Sequence, residues 1–400
     1  MNEPARLPPA EKGNLKLGFL KLTDSAAVIM AQSLGLYEKY GLAVELHREV
    51  SWANVRDKLV IGELDAAQML APLPIATSLG VGGMRADMIT GLTLSLNGNA
   101  ITLSQALSKQ IAERGADARH GALETAAALG DYLTSDSNPI TLAAAHTFSC
   151  HILLLRHWLK AGNIDPDRDV NIIVLPPEQM VDSLARGIID GFCVGEPWGS
   201  LAVQLGVGAV QATGNQIWNN GIEKVLGVTE PWHHKNPGSH LRLRLALMES
   251  CHWLADPLNR AQAVSVLSEP HYLDLSADIL NSSLTGQFVF SKGDRAENLP
   301  HFHIFGRFQA GFPWRSDGEW LLSQMGDLMG KCFSQEDIKS LVQRTFRTDL
   351  YREAARHLAI PSPSRDYKPI NEHGESWEFE PGIELGPDLL LSKSSSPPYR

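Results

Sequence analysis

Apolar and polar positions follow one another in short blocks along the chain. "LKLGFL" (15–20) reads as a buried strand, and "TDSAAVIMAQSLGLYEKYG" after it has apolar positions at helical spacing. Thr23 or Asp24 is placed to cap that helix, because a short oxygen-bearing side chain accepts from the free N–H groups of a first turn. "LAVELHREV" is a second strand, "SWANVRDKLVIG" a second helix and "LDAAQML" a third strand. This β–α–β–α order predicts an α/β protein with a mostly parallel sheet and helices on both faces. Residues 140–164 repeat the pattern: an apolar strand, Ile140–Ala145, precedes a helix anchored by Phe148, Ile152, Leu155 and Leu159. His146 stands at the junction, where the backbone must turn.

A weak internal repeat organises these units. At an offset of 125, Asp57, Leu59, Gly62, Asp65 and Pro72 match Asp182, Leu184, Gly187, Asp190 and Pro197. Both pieces read as helix, glycine turn, strand and proline-bearing loop, which describes two similar lobes. Residues 232–359 are mainly helical in pattern, with "LRLRLALMESCHWLAD", "AQAVSVLS", "EWLLSQMGDLM" and "QEDIKSLVQRTF" at helical spacing. The expected division is 15–100 and 226–360 for lobe I, the second range returning to complete it, with 101–225 for lobe II. Residues 361–400 form an extension rich in Pro, Ser and Glu, and "SKSSSPPYR" is expected to be a mobile tail.

Composition narrows the function. With 400 residues, 44% of them apolar, the chain can bury a sizeable core, and its net charge of −10 provides no general field for nucleic acid or acidic membrane. Any attraction for an anion must therefore be local. Cys150, Cys193, Cys251 and Cys332 match no zinc or iron–sulfur spacing and are expected to be buried free thiols. No uncharged run approaches the roughly 20 residues of a membrane span. The start "MNEPARLPPAEKGNLKLGFL" has no charged segment leading into an apolar stretch and cleavage site, so the expected location is cytoplasmic.

In open α/β sheets, ligands lie beyond the carboxyl ends of the strands, near helix N-termini. Polar residues at strand-to-helix turns are then candidates: Trp52, Gln105, His146 and Lys224. Each also has an ordinary reading, as a packing aromatic, an exposed amide, a core histidine and a solvated lysine. Taken together they supply several N–H donors and no carboxylate, which suits a small anion rich in acceptors. The "HFH" at 301–303 has no third ligand at metal-binding spacing, and Glu196 in "GEPW" reads as a loop-stabilising residue. No phosphate loop or nucleophile elbow is present.

At these residues the chain resembles the nitrate/nitrite- and bicarbonate-binding members of the type II periplasmic-binding-protein superfamily, from about Leu15 to Gly330. "SWANVRDKLVIGELDAAQMLAPLP", "GFCVGEPW", "EKVLGV" and "GEWLLSQM" carry the resemblance. It implies two α/β lobes around a ligand cleft, with the anion held by Trp52, Gln105, His146 and Lys224. Lys235 is the alternative lysine. Relatives that bind bicarbonate carry an acid at the lysine position. The pocket expected from this set has only donors facing inward and a positive potential, and Lys224→Glu is expected to abolish binding with little loss of fold.

The chain further resembles the cytoplasmic nitrate/nitrite sensors of assimilation operons, the NasS type. That likeness implies a non-enzymatic sensor without cofactor or metal. Its partner would be an ANTAR-domain antiterminator (NasT-like), released when nitrate or nitrite binds, with no direct contact to nucleic acid or membrane. The alternative is the solute-binding component of an ABC transporter for nitrate or a related small anion. A sulfonate or pyrimidine binder is a further alternative. A thiamine-pyrimidine synthase is disfavoured, because the cysteine cluster of that enzyme has no counterpart here.

Overall fold

The computed structural model describes residues 7–135 and 139–392. Two sheets carry the fold. The first lobe orders its strands as β2 (Ala43–Glu49), β1 (Asn14–Leu20), β3 (Ala66–Leu70), β11 (Ile222–Thr229), β5 (Thr93–Asn97) and a short strand at His303–Ile304. A further short strand, β4 (Met88–Ile89), pairs with β11 off this path. The second lobe orders β8 (Val170–Val174), β7 (Ile140–Ala144), β9 (Gly191–Gly195), β6 (Asn99–Ser104) and β10 (Gly208–Thr213). Each sheet has three parallel strands, β2-β1-β3 or β8-β7-β9, followed by antiparallel ones. The sheets are therefore mixed: the βαβ units are parallel as the pattern implies, and the strands crossing between lobes supply the antiparallel part.

The internal repeat is physical. Asp65 bonds Lys16 of β1 twice, through its own N–H to the Lys16 carbonyl (2.9 Å) and through Oδ2 from the Lys16 N–H (2.9 Å). Asp190 bonds Thr141 of β7 in the same way, at 2.7 and 2.8 Å. Lys16 and Thr141 are themselves 125 apart. In both lobes the aspartate fixes where the third parallel strand begins against the first. Gly62 and Gly187 make the preceding turn at φ of 78° and 68°, a left-handed conformation that favours glycine. Asp190→Ala is expected to cost about 1–3 kcal/mol by leaving the Thr141 N–H without its acceptor, measurable as a lower urea midpoint.

The crossings between lobes lie at Asn97–Asn99 and at Thr213–Ile222. Lobe I thus resumes at Ile222 with β11, earlier than the expected boundary at 226, because β11 pairs along its length with β3 and β5. The helical return then covers lobe I. Helix Pro237–Ala255 packs on Ala26–Ser33, where the Ser250 hydroxyl donates to the Ala27 carbonyl at 2.7 Å, and Thr348–Leu358 packs on it in turn. Among the described residues no helix is long and apolar enough to cross a membrane. All four cysteines are free, but only three are buried; Cys332 is exposed on the connection between two helices.

Residues 361–392 are ordered against the body of the protein. A hairpin of Trp377–Glu380 and Ile383–Leu385 packs Phe379 against Trp314. The following segment pairs with the second crossing: Asn219 N–H donates to the Leu389 carbonyl (2.9 Å) and Leu391 N–H to that of Ile217 (2.8 Å). Of the expected mobile tail, residues 393–400 lie outside the described residues.

Candidate functional site

The carboxyl ends of β1, β3 and β9, the start of β11 and the start of the helix Cys150–Ala161 converge between the lobes. β1 ends at Leu20, and the chain turns through Thr23–Ser25 before the helix Ala26–Ser33 begins. Neither Thr23 nor Asp24 caps that helix. Asp24 points instead into a buried cluster, where Gln68 Nε2 of β3 donates to its Oδ1 at 2.6 Å and Lys224 Nζ of β11 lies 2.7 Å from its Oδ2.

Lys224 is neighboured by Glu223, and Nζ reaches Glu223 Oε1 at 2.5 Å. Successive side chains of a regular strand point to opposite faces. Here the register against β5 shifts on both sides of Lys224, and such irregularities re-aim side chains. Glu223 is completed by His151 Nε2 at 2.7 Å from Oε1 and by Asn99 Nδ2, which donates to Oε2 at 2.7 Å. His151 lies in the first turn of its helix, where Ser149 caps by accepting the Ile152 N–H, so the carboxylate faces the positive end of the helix dipole.

Trp52 closes the cluster from the first turn of helix Trp52–Val60. Its ring lies 5.4 Å from Lys224 Nζ, within cation–π range. Its indole N–H is buried and has no acceptor. Asp24, Trp52, His151, Glu223 and Lys224 are all at 0% exposure. One apolar core joins Trp52 and Leu70 of lobe I to Phe148, Ile152 and Phe192 of lobe II, so the lobes are closed on the cluster. A latch bridges them: Thr23 N–H and Oγ1 both donate to the Glu196 carbonyl, at 2.8 and 3.1 Å.

Burial pushes the Glu223 carboxyl up, but Lys224 and His151 outweigh it and hold the group at about 2. Burial opposes the Lys224 ammonium, and Asp24 and Glu223 more than offset that, so it stays charged. Asp24 is raised by burial despite Lys224. Glu196 rises to about 7 through burial, and its Oε2 accepts the Ser200 N–H at 2.9 Å, which stabilises the loop as expected. Chemically, the site is a shielded ammonium balanced by two carboxylates, with an unused indole donor beside it.

Comparison with known proteins places the chain in a family. The model of the NMT1-like family matches residues 8–268. The nitrate/nitrite binding protein NrtA of Synechocystis sp. PCC 6803 is 30% identical over 380 residues, covering 92% of this chain and 82% of that protein. The chain belongs to the NMT1-like family and is an NrtA homologue. A crystal structure of periplasmic nitrate-binding NrtA from Synechocystis superposes on this NMT1-like chain with a TM-score of 0.84 at 30% identity, covering 91% of this chain and 94% of that one. The nitrate import ATP-binding protein NrtC of the same organism is 39% identical over 378 residues, 94% of this chain; the chain spans only 55% of that relative's length.

Within this NrtA homologue, the expected site residues separate. Trp52 and Lys224 come together. His146 is buried in the turn it was read from: its Nδ1 accepts the Phe148 N–H at 3.0 Å, which leaves the proton on Nε2. Burial, then Arg56 across the lobe boundary, push it down to about 4, so it is a neutral donor. Gln105 is not brought to the cluster. It is exposed at the start of helix Gln105–Glu113 and lines an open groove of about 620 Å³ with Ser108, Lys109 and Gln211. The reason is strand direction: β6 is antiparallel to β9, with Asn99 opposite Gly195 and Leu103 opposite Gly191. The cleft end of β6 is its beginning, and the amide there is Asn99. Lys235 is exposed at the end of helix Glu230–Lys235 and lies outside the cluster.

The expectation of a pocket made of donors alone is corrected by Asp24 and Glu223. His151 is fully buried and paired with Glu223. A signal for these residues existed, since Gln68 in "AAQML" and the adjoining Glu223–Lys224 in "IEKVLGV" interrupt apolar strands. His303 of "HFH" bonds Thr23 Oγ1 through Nε2 at 2.8 Å. Among the described residues, no group of three or more His, Cys, Asp and Glu side chains is arranged to hold a metal ion.

Proposed function

We propose that this chain is a non-enzymatic, cytoplasmic nitrate/nitrite sensor whose closed form excludes an ANTAR-domain antiterminator. The observation that carries anion binding is Trp52: a buried indole N–H without an acceptor, beside a buried ammonium. An orphaned buried donor is costly, and an anion oxygen placed there would satisfy it. Lys224 has a third N–H beyond those directed at Asp24 and Glu223, and His146 Nε2–H is a further donor at the lobe boundary. A flat anion with equivalent oxygens suits donors arriving from two lobes. The NrtA relatives, named for nitrate and nitrite, favour that ligand.

Regulation follows as a shift of population. Since the cluster has no exposed surface, an anion enters only when the lobes part, and bridging donors then favour reclosure. A micromolar ligand supplies about 8 kcal/mol of standard binding free energy, and the fraction that differs between open and closed forms displaces the partner. Calorimetric titration with nitrate, nitrite, bicarbonate and taurine is expected to give binding for the first two alone. Nitrate is then expected to reduce co-purification of the antiterminator in a pull-down. Retention of the complex at saturating nitrate and nitrite would remove the sensor reading, and failure of both anions to bind would remove the ligand.

A further inference from the structure

We propose that anion uptake at this site is coupled to uptake of a proton by the buried His151–Glu223–Lys224–Asp24 cluster, with His151 as its seat. The inference rests on the anion-binding reading above and adds the proton as a second ligand. Two carboxylates and one ammonium stand within 2.5–2.7 Å contacts and no solvent reaches them. With a neutral imidazole the cluster carries one net negative charge, and a monovalent anion brought beside Lys224 adds a second. Burying uncompensated charge of one sign is strongly unfavourable, so the closed complex forms with added positive charge.

The surrounding groups decide where that charge can come from. Lys224 is already an ammonium. Cys150 and Cys193 are thiols pushed well up by burial and stay neutral. His303, bonded to Thr23, is pushed down to about 3 by burial and then by Arg260 and Lys224. Asp24 is raised by burial, but its Oδ1 accepts from Gln68 Nε2 and its Oδ2 faces Lys224 Nζ. Glu223 Oε1 faces Lys224 and Oε2 accepts from Asn99 Nδ2, so each carboxylate oxygen already meets a donor where a proton would sit. Glu196 titrates near neutrality, but its carboxyl is turned to the Ser200 N–H and away from the pairs. His151 is left: Nε2 faces Glu223 Oε1, and buried Nδ1 has no protein partner. A proton on Nδ1 makes an imidazolium whose Nε2–H is held by the Glu223 carboxylate.

The test is calorimetric titration of the intact protein with nitrate in PIPES, HEPES and Tris at one pH, with affinities measured from pH 6 to 8.5. Nitrate does not titrate in this range, so a dependence on buffer ionisation heat counts protons taken up by the protein. About one proton per nitrate is expected, with affinity falling towards tenfold per pH unit at the alkaline end. His151→Gln keeps a donor towards Glu223 and is expected to flatten the pH profile, whereas Glu196→Gln leaves the coupling in place. Wild-type heats independent of buffer, with affinity flat across the range, would overturn the coupling while leaving nitrate binding intact. Coupling that survives His151→Gln would overturn the assignment to His151. Absence of nitrate binding at every pH would instead count against the ligand itself.

Discussion

Lys224→Met is expected to lower the stability of this protein by about 3–5 kcal/mol, the range for breaking a buried ion pair by removing one partner. The ammonium is the group that allows Asp24 and Glu223 to coexist at 0% exposure, with Nζ at 2.7 and 2.5 Å from their oxygens. Without it two carboxylates face each other in the core. This revises the expectation drawn from the sequence, in which Lys224→Glu spared the fold; a third carboxylate there is expected to be worse than methionine. Urea unfolding followed by tryptophan fluorescence reads the loss. The triple variant Asp24→Asn, Glu223→Gln, Lys224→Met is expected to recover most of it, because neutral partners remove the uncompensated charge. A single variant within about 1 kcal/mol of wild type would mean the pairs contribute little.

The same network sets an acid limit. Glu223 is held at about 2 against an ordinary value of 4.5, so its folded pKa is depressed. Its contribution is fully present above about 4.5 and is lost as pH falls towards 2.

Among variants that keep the buried ion pairs, the largest expected effect on binding comes from Trp52→Phe. Phenylalanine keeps an aromatic face under Lys224 Nζ and most of the buried volume, and it removes the indole N–H with the pyrrole part of the ring. A hydrogen bond to a charged group contributes about 1.5–3 kcal/mol, so nitrate affinity is expected to fall by about 10- to 100-fold. The N–H has no acceptor in the protein, so stability is expected to fall only by the cost of the smaller ring, about 1–2 kcal/mol. Trp52→Ala is a different experiment: it opens a cavity at a fully buried site, and about 3–5 kcal/mol of stability goes with it. Calorimetry on Trp52→Phe with wild-type affinity would show that the indole N–H does not meet the anion.

Much of the scaffold was legible in the amino-acid order. Hydrophobic periodicity is a local property, and it placed strands at 15–20, 42–50, 64–70 and 140–145, each within two residues of the observed bounds, with helices after them. The repeat at offset 125 foretold two lobes, and Asp65 with Asp190 proved to be doing one backbone-anchoring job in each. Trp52 and Lys224 were reachable from residue type, turn position and resemblance. That Gln105 lies away from the Trp52–Lys224 cluster was not legible, because its strand-to-helix turn looks like any other until β6 is seen to run against β9.

By itself, then, the sequence determined the βα units, the two-lobed plan and the polar residues set into apolar strands. Tertiary structure decided strand direction, the register shift that aims Glu223 and Lys224 into one cluster, and the carboxylates that accompany the lysine. The physical reason is range. Periodicity and capping act over a few residues, whereas the cluster joins positions 24, 52, 68, 99, 151 and 223–224, whose meeting depends on how distant strands pair and on what the closed lobes exclude from water.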